Sequence, residues 1–443
     1  MNTEFFITKN QEKFKHLLAE FIKFADYSET GQQIDETVNF LTSLLKQLLG
    51  AEVEIHRDMG GSPVIIATLS PGQEETYLFY GHYDVQTVGN ISSWLTDPFE
   101  LTEKDGRLYG RGTGDNKGQL MAQICGFYVY QQIYGKLPFT VRLFIEGEEE
   151  SGSPHLADYI NSLKNGPLSD IKAAFVVDGS ISQSGKHVLR LGNRGVLGFR
   201  LTVHTANTVL HSGNFGNVSQ NASKKLIQLL GRLIDFETGE LLIPALKKNI
   251  QEESSLEKTW IDQLPEPTNV PSPLFKDKHD YYHRLMFQPT LTINGLMSGY
   301  HRDKIKTIIP NEATAILDSR LVASQKCSEV KEDIEKLFKP EIDDGVAKIE
   351  WLVALEPTKT PADSELVPII YSAIKEATGD CLVEPLMPGS VPNYVWTDIL
   401  SAPVFTIPYA NYDQHNHAPN ENMLTQSFID GIKITTTLCT KLI

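Results

Sequence analysis

Five side chains that can bind metal ions are spread along the chain: His82, Asp115, Glu150, Asp178 and His417. Two imidazoles and three carboxylates, with no thiolate, suit zinc and also manganese or cobalt. Five donors are too many for one open catalytic zinc, but they fit two ions that share a bridging carboxylate. Because such a pair activates a water molecule and polarises a carbonyl, the set predicts metal-assisted hydrolysis.

His82 and Asp84 follow the apolar run Leu78-Phe79-Tyr80, which predicts a strand. Side chains alternate along a strand, so these two residues project to the same face. That arrangement suits a metal ligand and the carboxylate that orients it. A histidine that only satisfies its local surroundings would fit this position too, and the later motifs favour the ligand.

Asp115 lies in a run that contains three glycines, Gly112, Gly114 and Gly118. Glycine permits an unusual backbone path and a close approach to an ion. Taken alone, this motif favours a surface turn in which Asp115 caps the following helix.

Three consecutive acids, Glu148 to Glu150, follow the apolar strand predicted over 141–145. Adjacent carboxylates repel one another unless a cation is present. Hydrolysis with metal ions uses such neighbours differently, since one binds the ion and the other accepts a proton from water.

The composition restricts the class of protein. Its 443 residues predict two domains, and a net charge of −16 argues against nucleic-acid binding. The four cysteines form no Cys-x-x-Cys pair, which argues against a thiolate zinc site and a disulfide framework. With no leader-like N-terminus and no run of about 20 apolar residues, we expect a cytoplasmic protein without a membrane span.

The predicted elements divide into two patterns. Helices within 10–49 and 117–134 alternate with strands at 53–55, 64–69, 77–81, 139–146 and 173–177, which predicts a layered α/β domain. After about residue 195 the order becomes β-α-β-β-α-β, the ferredoxin-like plan. Its elements are predicted at 198–203, 217–235, 291–296, 314–322, 328–338 and 348–353, interrupted by a polar insertion over 238–289. We therefore predict a catalytic domain over 1–195 and 358–443, with a lid/dimerisation domain over 196–357 inserted into it.

Five motifs occur in order between about residues 75 and 425: Gly81-His82-x-Asp84, Gly114-Asp115-Asn116-Lys117-Gly118, Glu149-Glu150-x-Gly152-Ser153, Asp178 and His417-x-x-Asn420-Glu421. This series resembles the two-zinc metallopeptidase family of carnosinases, cytosolic nonspecific dipeptidases, aminoacylases and succinyl-diaminopimelate desuccinylases. It is most similar to the dipeptidase and carnosinase-like branch. The resemblance implies an enzyme that cleaves the amide bond of dipeptides or short peptides, or else of N-acyl amino acids.

The resemblance also implies a role for each motif residue. His82 and His417 would each bind one of two zinc ions, Asp115 would bridge them, and Glu150 and Asp178 would complete the ligands. Glu149 would be the general base, and Asp84 would orient His82. A cis peptide is implied between Asp115 and Asn116.

Further residues match the inserted domain and the substrate contacts of the family. His211, in Leu210-His211-Ser212-Gly213, would enter the partner subunit's active site in a homodimer and steady the oxyanion. Thr307, Arg320, Gly389 and Ser390 would contact substrate, and an arginine suits a carboxylate. From spacing alone, His211 would be read as a loop histidine, and Arg320 would fit a strand-edge ion pair nearly as well.

One departure concerns specificity. The carnosinase branch carries a further histidine after the last strand of the inserted domain, whereas no histidine occurs from 302 to 414 here. Strict carnosine specificity is therefore not expected.

A metal-binding protein without catalysis would also contain these ligands, but the intact Glu149 disfavours it. A one-metal aminopeptidase on another fold would leave the Asp115 motif unexplained.

Overall fold

The computed structural model describes residues 2–300 and 304–442. The strands are β1 (Glu52–His56), β2 (Val64–Leu69), β3 (Thr76–His82), β4 (Thr102–Lys104), β5 (Arg107–Tyr109), β6 (Thr140–Glu146), β7 (Ile171–Val176), β8 (Val188–Arg190), β9 (Gly192–Asn193), β10 (Gly195–His204), β11 (Leu210–His211), β12 (Thr290–Ser298), β13 (Ile308–Ile309), β14 (Glu312–Leu321), β15 (Ala347–Leu355), β16 (Thr358–Lys359), β17 (Leu382–Glu384), β18 (Val404–Thr406) and β19 (Asn422–Leu424).

The helices are α1 (Thr3–Ile22), α2 (Ile34–Leu49), α3 (Lys117–Tyr134), α4 (Leu156–Leu163), α5 (Ser212–Phe215), α6 (Ala222–Leu230), α7 (Pro244–Lys247), α8 (Ser255–Gln263), α9 (Lys278–Phe287), α10 (Cys327–Asp343), α11 (Leu366–Thr378) and α12 (Thr425–Lys441). Across both described ranges, no helix combines the length and apolar character needed to cross a bilayer.

The large sheet has the strand order β1-β2-β6-β3-β7-β18-β8-β17, and β6, β3, β7 and β18 run parallel to one another. Alternate side chains of its strands enter two separate cores. Phe79 and its neighbours pack under helices α1, α2, α3, α11 and α12, whereas Leu78 and Tyr80 pack with α4 and Trp396. The predicted layered α/β arrangement is confirmed, with helices on both faces of the sheet.

The smaller sheet has the order β12-β14-β10-β15 and is wholly antiparallel. In order of appearance its strands are β10, β12, β14 and β15, so the order across the sheet is 4-1-3-2 when read from β15. Helices α6 and α10 cover one face, where Leu197, Phe199 and Leu201 are buried. This is the β-α-β-β-α-β arrangement expected for this segment.

Two local expectations differ from the structure. The helix predicted over 217–235 covers only α6, because the Asn221 side chain caps its start by accepting from Lys224 N, and the chain leaves the helix at Gly231. The insertion over 238–289 is not merely polar loop. It contains α7, α8 and α9, and Ile261 and Phe287 pack beside Leu382 of β17.

Candidate metal centre

The predicted metal ligands lie at one edge of the large sheet. Strand β3 ends at His82 and has β6 and β7 as parallel neighbours, so the carboxyl ends of all three strands meet there. A single 3₁₀ turn after β6 carries Glu149 and Glu150, and Asp178 follows β7. The loop between β18 and β19 brings His417 to the same edge.

Asp115 stands between two groups of donors. His82 Nε2 lies 3.2 Å from Asp115 Oδ1, and His417 Nε2 lies 3.2 Å from Asp115 Oδ2. His417 Nε2 is also 3.0 Å from Glu150 Oε2. One carboxylate therefore presents each of its oxygens to a different histidine, which is the arrangement of a bridging ligand.

The donor spacing fits metal ions. Each of the groups His82–Asp115–Asp178 and Asp115–Glu150–His417 has ligand atoms within 4.8 Å of one another. Two ligands about 2.1 Å from a tetrahedral ion lie about 3.4 Å apart, close to the separations seen here. Since nitrogen and oxygen donors of this kind suit zinc, the residues present fit two such ions sharing Asp115.

The electrostatics of the cluster favour bound cations. Burial, and secondly the neighbouring Asp115 carboxylate, raise the pKa of Asp178 to about 6. Burial also raises the pKa of Glu149 well above its usual value. Hydrogen bonding to Asp115 and Glu150 raises the pKa of His417 to about 10. Carboxylates crowded out of water attract positive charge, which metal ions supply.

Asp84 orients the first of these histidines. Its carboxylate is fully buried, and Oδ1 lies 3.2 Å from His82 Nδ1, so the Nε2 atom of His82 faces Asp115. The same carboxylate accepts hydrogen bonds from the backbone N–H groups of Glu149 (3.2 Å) and Glu150 (3.0 Å). Asp84 thereby ties the ligand at the end of β3 to the acidic turn after β6.

Glu149 lies beside the ligands without joining either donor group. Its Oε2 is 3.9 Å from His82 Nε2. A cavity of about 60 Å³ begins at Glu149 and Asp178 and reaches Met387 and Val391 of the loop that contains Gly389 and Ser390. A carboxylate at the wall of such a cavity is placed to exchange a proton with a molecule inside it.

The predicted substrate residues fall into two places. Arg320 Nη1 donates to Ser390 Oγ at 2.8 Å, so a strand of the small sheet contacts the loop at the cavity. Arg320 also has the strand-edge partner Asp318 at 3.4 Å. His211 and Thr307 lie apart from the donor groups, exposed, with His211 Nε2 3.3 Å from Thr307 Oγ1.

Comparison with known proteins identifies the family. The model of Peptidase family M20/M25/M40 matches residues 78–441. The chain belongs to this peptidase family. The Beta-Ala-His dipeptidase of Homo sapiens is 30% identical, with coverage of 84% of this chain and 76% of that protein.

Two further M20 relatives match nearly the whole chain. The Cys-Gly metallodipeptidase dug1 of Schizosaccharomyces pombe is 26% identical, with coverage of 97% of this chain and 95% of that protein. The M20 family metallo-carboxypeptidase Sso-CP2 from Sulfolobus solfataricus superposes with a TM-score of 0.85 at 29% identity, and the match covers 97% of this chain and 98% of that one. Likeness over this length confirms the α/β fold class.

This M20 peptidase holds its Asp115 loop with residues whose role the sequence alone does not reveal. Glu421 is fully buried, pairs with Arg111 Nη1 at 2.5 Å and accepts from the backbone N–H groups of Gly112, Gly114 and Asp115. The spacing of Glu421 from His417 is part of the motif, but only the structure shows what its carboxylate contacts. Deletion of this carboxylate would leave three buried N–H groups without a partner.

Asn116 and Gln119 join the same loop to neighbouring strands. The peptide between Asp115 and Asn116 is cis, as the resemblance implied. The amide of Asn116 donates to Val177 O at 2.8 Å and to Asp178 Oδ1 at 3.1 Å. Gln119 donates to Gly114 O at 2.7 Å and accepts from Tyr409 N at 2.7 Å. The role of such an amide side chain is hard to recognise in a sequence, because its hydrogen-bonding partners are distant in the chain.

The glycines of this loop allow close packing. A Cβ atom at Gly118 would lie 2.0 Å from Thr113 O, and Gly112 has a φ of +88°. A side chain at Gly118 would clash with this carbonyl oxygen, and one at Gly112 would require a backbone conformation that residues other than glycine rarely adopt. These glycines therefore permit close packing within the loop, and the close approach to an ion stays a prediction.

Proposed function

We propose that the chain is a two-zinc dipeptidase that also accepts short peptides, with His82, Asp115, Glu150, Asp178 and His417 as the metal ligands. One observation carries this proposal. The two oxygens of Asp115 face separate donor groups, and Glu149, which belongs to neither group, lies beside them. Ligands for two ions and a free carboxylate are the parts that metal-assisted amide hydrolysis needs.

In the proposed reaction each residue has a separate task. Two zinc ions at these donors would lower the pKa of a water molecule and polarise the peptide carbonyl. Glu149 takes a proton from the attacking water and returns it to the leaving amine. Asp84 holds the ring of His82 in place, and Glu421 holds the backbone that carries Asp115.

The proposal includes a homodimer in which His211 of the partner subunit steadies the oxyanion. In one chain His211 is exposed and has only Thr307 and Gly213 as hydrogen-bonding partners among the described residues. Strand β12 at the edge of the small sheet exposes Leu296 (58%) and Met297 (60%), apolar side chains that a second subunit could cover. Residues 196–357 would then form the lid/dimerisation domain, and its movement relative to 1–195 and 358–443 would close the site.

The substrate assignment follows from the relatives and from Arg320. The human relative is named for Beta-Ala-His and the fission yeast relative for Cys-Gly, both dipeptides. Arg320, Gly389 and Ser390 would bind the substrate carboxylate, and Thr307, which directly precedes β13, would also contact the substrate. Because no histidine occurs from 302 to 414, we do not propose strict specificity for a histidine dipeptide.

The proposal also includes zinc as the bound metal and the cytoplasm as the location of the protein. The donors contain no thiolate and include three carboxylates, so manganese or cobalt could substitute for zinc. All four cysteines are buried and free, as expected of a protein in a reducing compartment.

The test is a hydrolysis screen of protein reconstituted with zinc. It compares dipeptides, tripeptides and carnosine with N-acetyl and N-succinyl amino acids, with and without chelator. We expect chelator-sensitive cleavage of several dipeptides. Cleavage of acyl amino acids alone would retain the metal chemistry and replace the dipeptidase assignment with a deacylase.

A further inference from the structure

A second cluster of histidine and carboxylate side chains lies outside the candidate metal centre. His279 and His283 occupy positions one helical turn apart on α9, so their rings project from the same face of the helix. Both rings meet the carboxylate of Glu253, which precedes α8. His279 Nε2 lies 3.1 Å from Glu253 Oε1, and His283 Nδ1 lies 2.8 Å from Glu253 Oε2.

Glu253 is the unusual member of this cluster. Its side chain is only 2% exposed, although it lies in a polar insertion at the protein surface. A buried carboxylate requires compensating charge or hydrogen bonds. Both of its oxygens face imidazole nitrogens, and a divalent cation bound among these donors would compensate the buried carboxylate.

The spacing of the donors is suitable for an ion. Glu252, Glu253 and His283 have ligand atoms within 4.8 Å of one another. His279 lies at the outer end of the cluster, and its side chain is 42% exposed, so it can turn toward the same ion. Two imidazoles on one helical face with two carboxylates form the nitrogen and oxygen set that zinc accepts.

The elements that carry these donors are well anchored. Met286 and Phe287 at the end of α9 are buried with Ile261 and Leu264 of the α8 region. Ser254, the residue after Glu253, forms a capping box with Glu257 at the start of α8. His279 and His283 therefore project from a packed helix, and Glu253 directly precedes a capped helix start, which favours fixed donor positions.

We propose that Glu252, Glu253, His279 and His283 form a third zinc site, separate from the catalytic pair, which stabilises the insertion. Bound zinc would join the segment before α8 to α9, and α9 leads directly into β12 of the small sheet. The role is structural, since no group of this cluster belongs to either donor group at Asp115. A cation bound only to the folded chain also raises its thermal stability.

The experiment measures zinc per chain after equilibration with excess zinc and gel filtration, by mass spectrometry of the metal. We expect His283→Ala and Glu253→Gln to hold one zinc fewer than the unmodified protein. The matched control is His204→Ala, because His204 also pairs with a glutamate, Glu312 at 3.4 Å, but belongs to no donor group. The control should hold the full complement.

Because His279 is exposed, the variant His279→Ala is expected to fold like the unmodified protein. His279→Ala should weaken the affinity for the third zinc at least tenfold, reduce the rise in Tm that zinc produces, and leave dipeptide hydrolysis unchanged. The proposal would be overturned if His283→Ala and Glu253→Gln held as much zinc as the unmodified protein and showed the same rise in Tm with zinc. These side chains would then form only ion pairs. A failure of the dipeptidase assignment would appear only in the hydrolysis screen.

Discussion

The edge of the large sheet and the exposed histidine of the short β11–β13 pair differ in how much of their surroundings one chain provides. At the large sheet, Asp84 and His82 are fully buried and contact each other, and Asp115 contacts both histidines of the centre. At the short β11–β13 pair, the imidazole of His211 is exposed, and its hydrogen-bonding partners among the described residues are Gly213 and Thr307. Both regions were predicted to serve one reaction.

This contrast separates two parts of the proposed chemistry: metal binding, which a single chain can complete, and stabilisation of the oxyanion, which it cannot. Metal ligands must be fixed within about 0.5 Å, and the strand ends of one sheet, together with the loops that follow them, provide that precision. A group that stabilises an oxyanion must also be placed precisely, and the exposed imidazole of His211 has hydrogen bonds to only Gly213 and Thr307 among the described residues. We infer that its final surroundings come from a second subunit, and the following predictions test this division.

The largest effect is expected from Glu149→Gln. Removal of the proton acceptor should lower kcat by about 10² to 10⁴-fold while both zinc ions remain bound. Steady-state kinetics and metal analysis of the same preparation check this. Glu148→Gln is the matched control, because Glu148 pairs with His155 at 2.7 Å instead of facing the centre, and it should retain activity. Full activity of Glu149→Gln would remove Glu149 from the mechanism.

His211→Ala should lower kcat by about 10² to 10³-fold, the usual cost of losing an oxyanion donor. Its zinc content should not change, because His211 belongs to neither donor group at Asp115. Mixing it with Glu149→Gln should restore part of the activity, since a heterodimer would contain one intact combined site. If the mixture stays inactive while subunits demonstrably exchange, the site is not shared between subunits.

Glu421→Gln tests the backbone that carries the bridging ligand. The amide can accept fewer hydrogen bonds than a carboxylate and cannot pair with the charge of Arg111. We expect zinc affinity to fall about 10 to 100-fold, the range for residues that hold metal ligands. Glu384→Gln, which breaks the Arg190 pair at 2.6 Å elsewhere in the protein, is the control. Competition with a chromogenic chelator measures both, and equal affinities would contradict the role of Glu421.

Arg320→Ala addresses substrate binding across the two sheets. Loss of the guanidinium should raise KM at least tenfold for dipeptides with a free C-terminal carboxylate and change kcat less, as expected when binding is lost equally in ground and transition states. C-terminally amidated dipeptides should show little difference between the two proteins. Arg200→Ala is the control, because Arg200 is on β10 and pairs with the exposed Glu350. An equal change for free and amidated substrates would contradict carboxylate recognition.

The residues of the metal centre were predictable because their signals are local. Apolar runs located β3, β6 and β7, and the ends of parallel neighbours in a sheet must meet, so His82, Glu150 and Asp178 fall together. The bridging geometry of Asp115 was implied by family resemblance, since spacing alone also allowed a helix cap.

The supporting residues were harder to predict because their contacts are distant in sequence. Glu421 contacts a loop 306 to 310 residues earlier, and a buried glutamate looks the same in a sequence as an exposed one. The helices α8 and α9 were missed because Ile261, Leu264, Met286 and Phe287 are separated by prolines and charged residues, and only packing beside β17 shows them to be a core.

The smallest expected effect concerns the stability of the small sheet. Glu341 of α10 pairs with Arg232 Nη2 at 2.7 Å and Lys225 Nζ at 2.8 Å, which joins α10 to α6. Hydrogen bonding to Arg232 lowers the pKa of Glu341 from 4.5 to about 2, despite the opposing effect of burial. Because the folded-state pKa is depressed, this contribution is complete above pH 4.5 and declines as the pH falls toward 2.

Glu341→Gln should therefore lower the urea midpoint at pH 6 more than at pH 3.5. The control is Glu350→Gln, which removes an exposed pair with Arg200 and should change stability by less than about 1 kcal/mol. A loss for Glu341→Gln that is equal at both pH values would mean that the pair contributes packing but no ionisable interaction. The candidate metal centre should be unaffected, because its proposed ligands lie at the edge of the large sheet, and retained metal binding there in this variant would show that the two regions are independent.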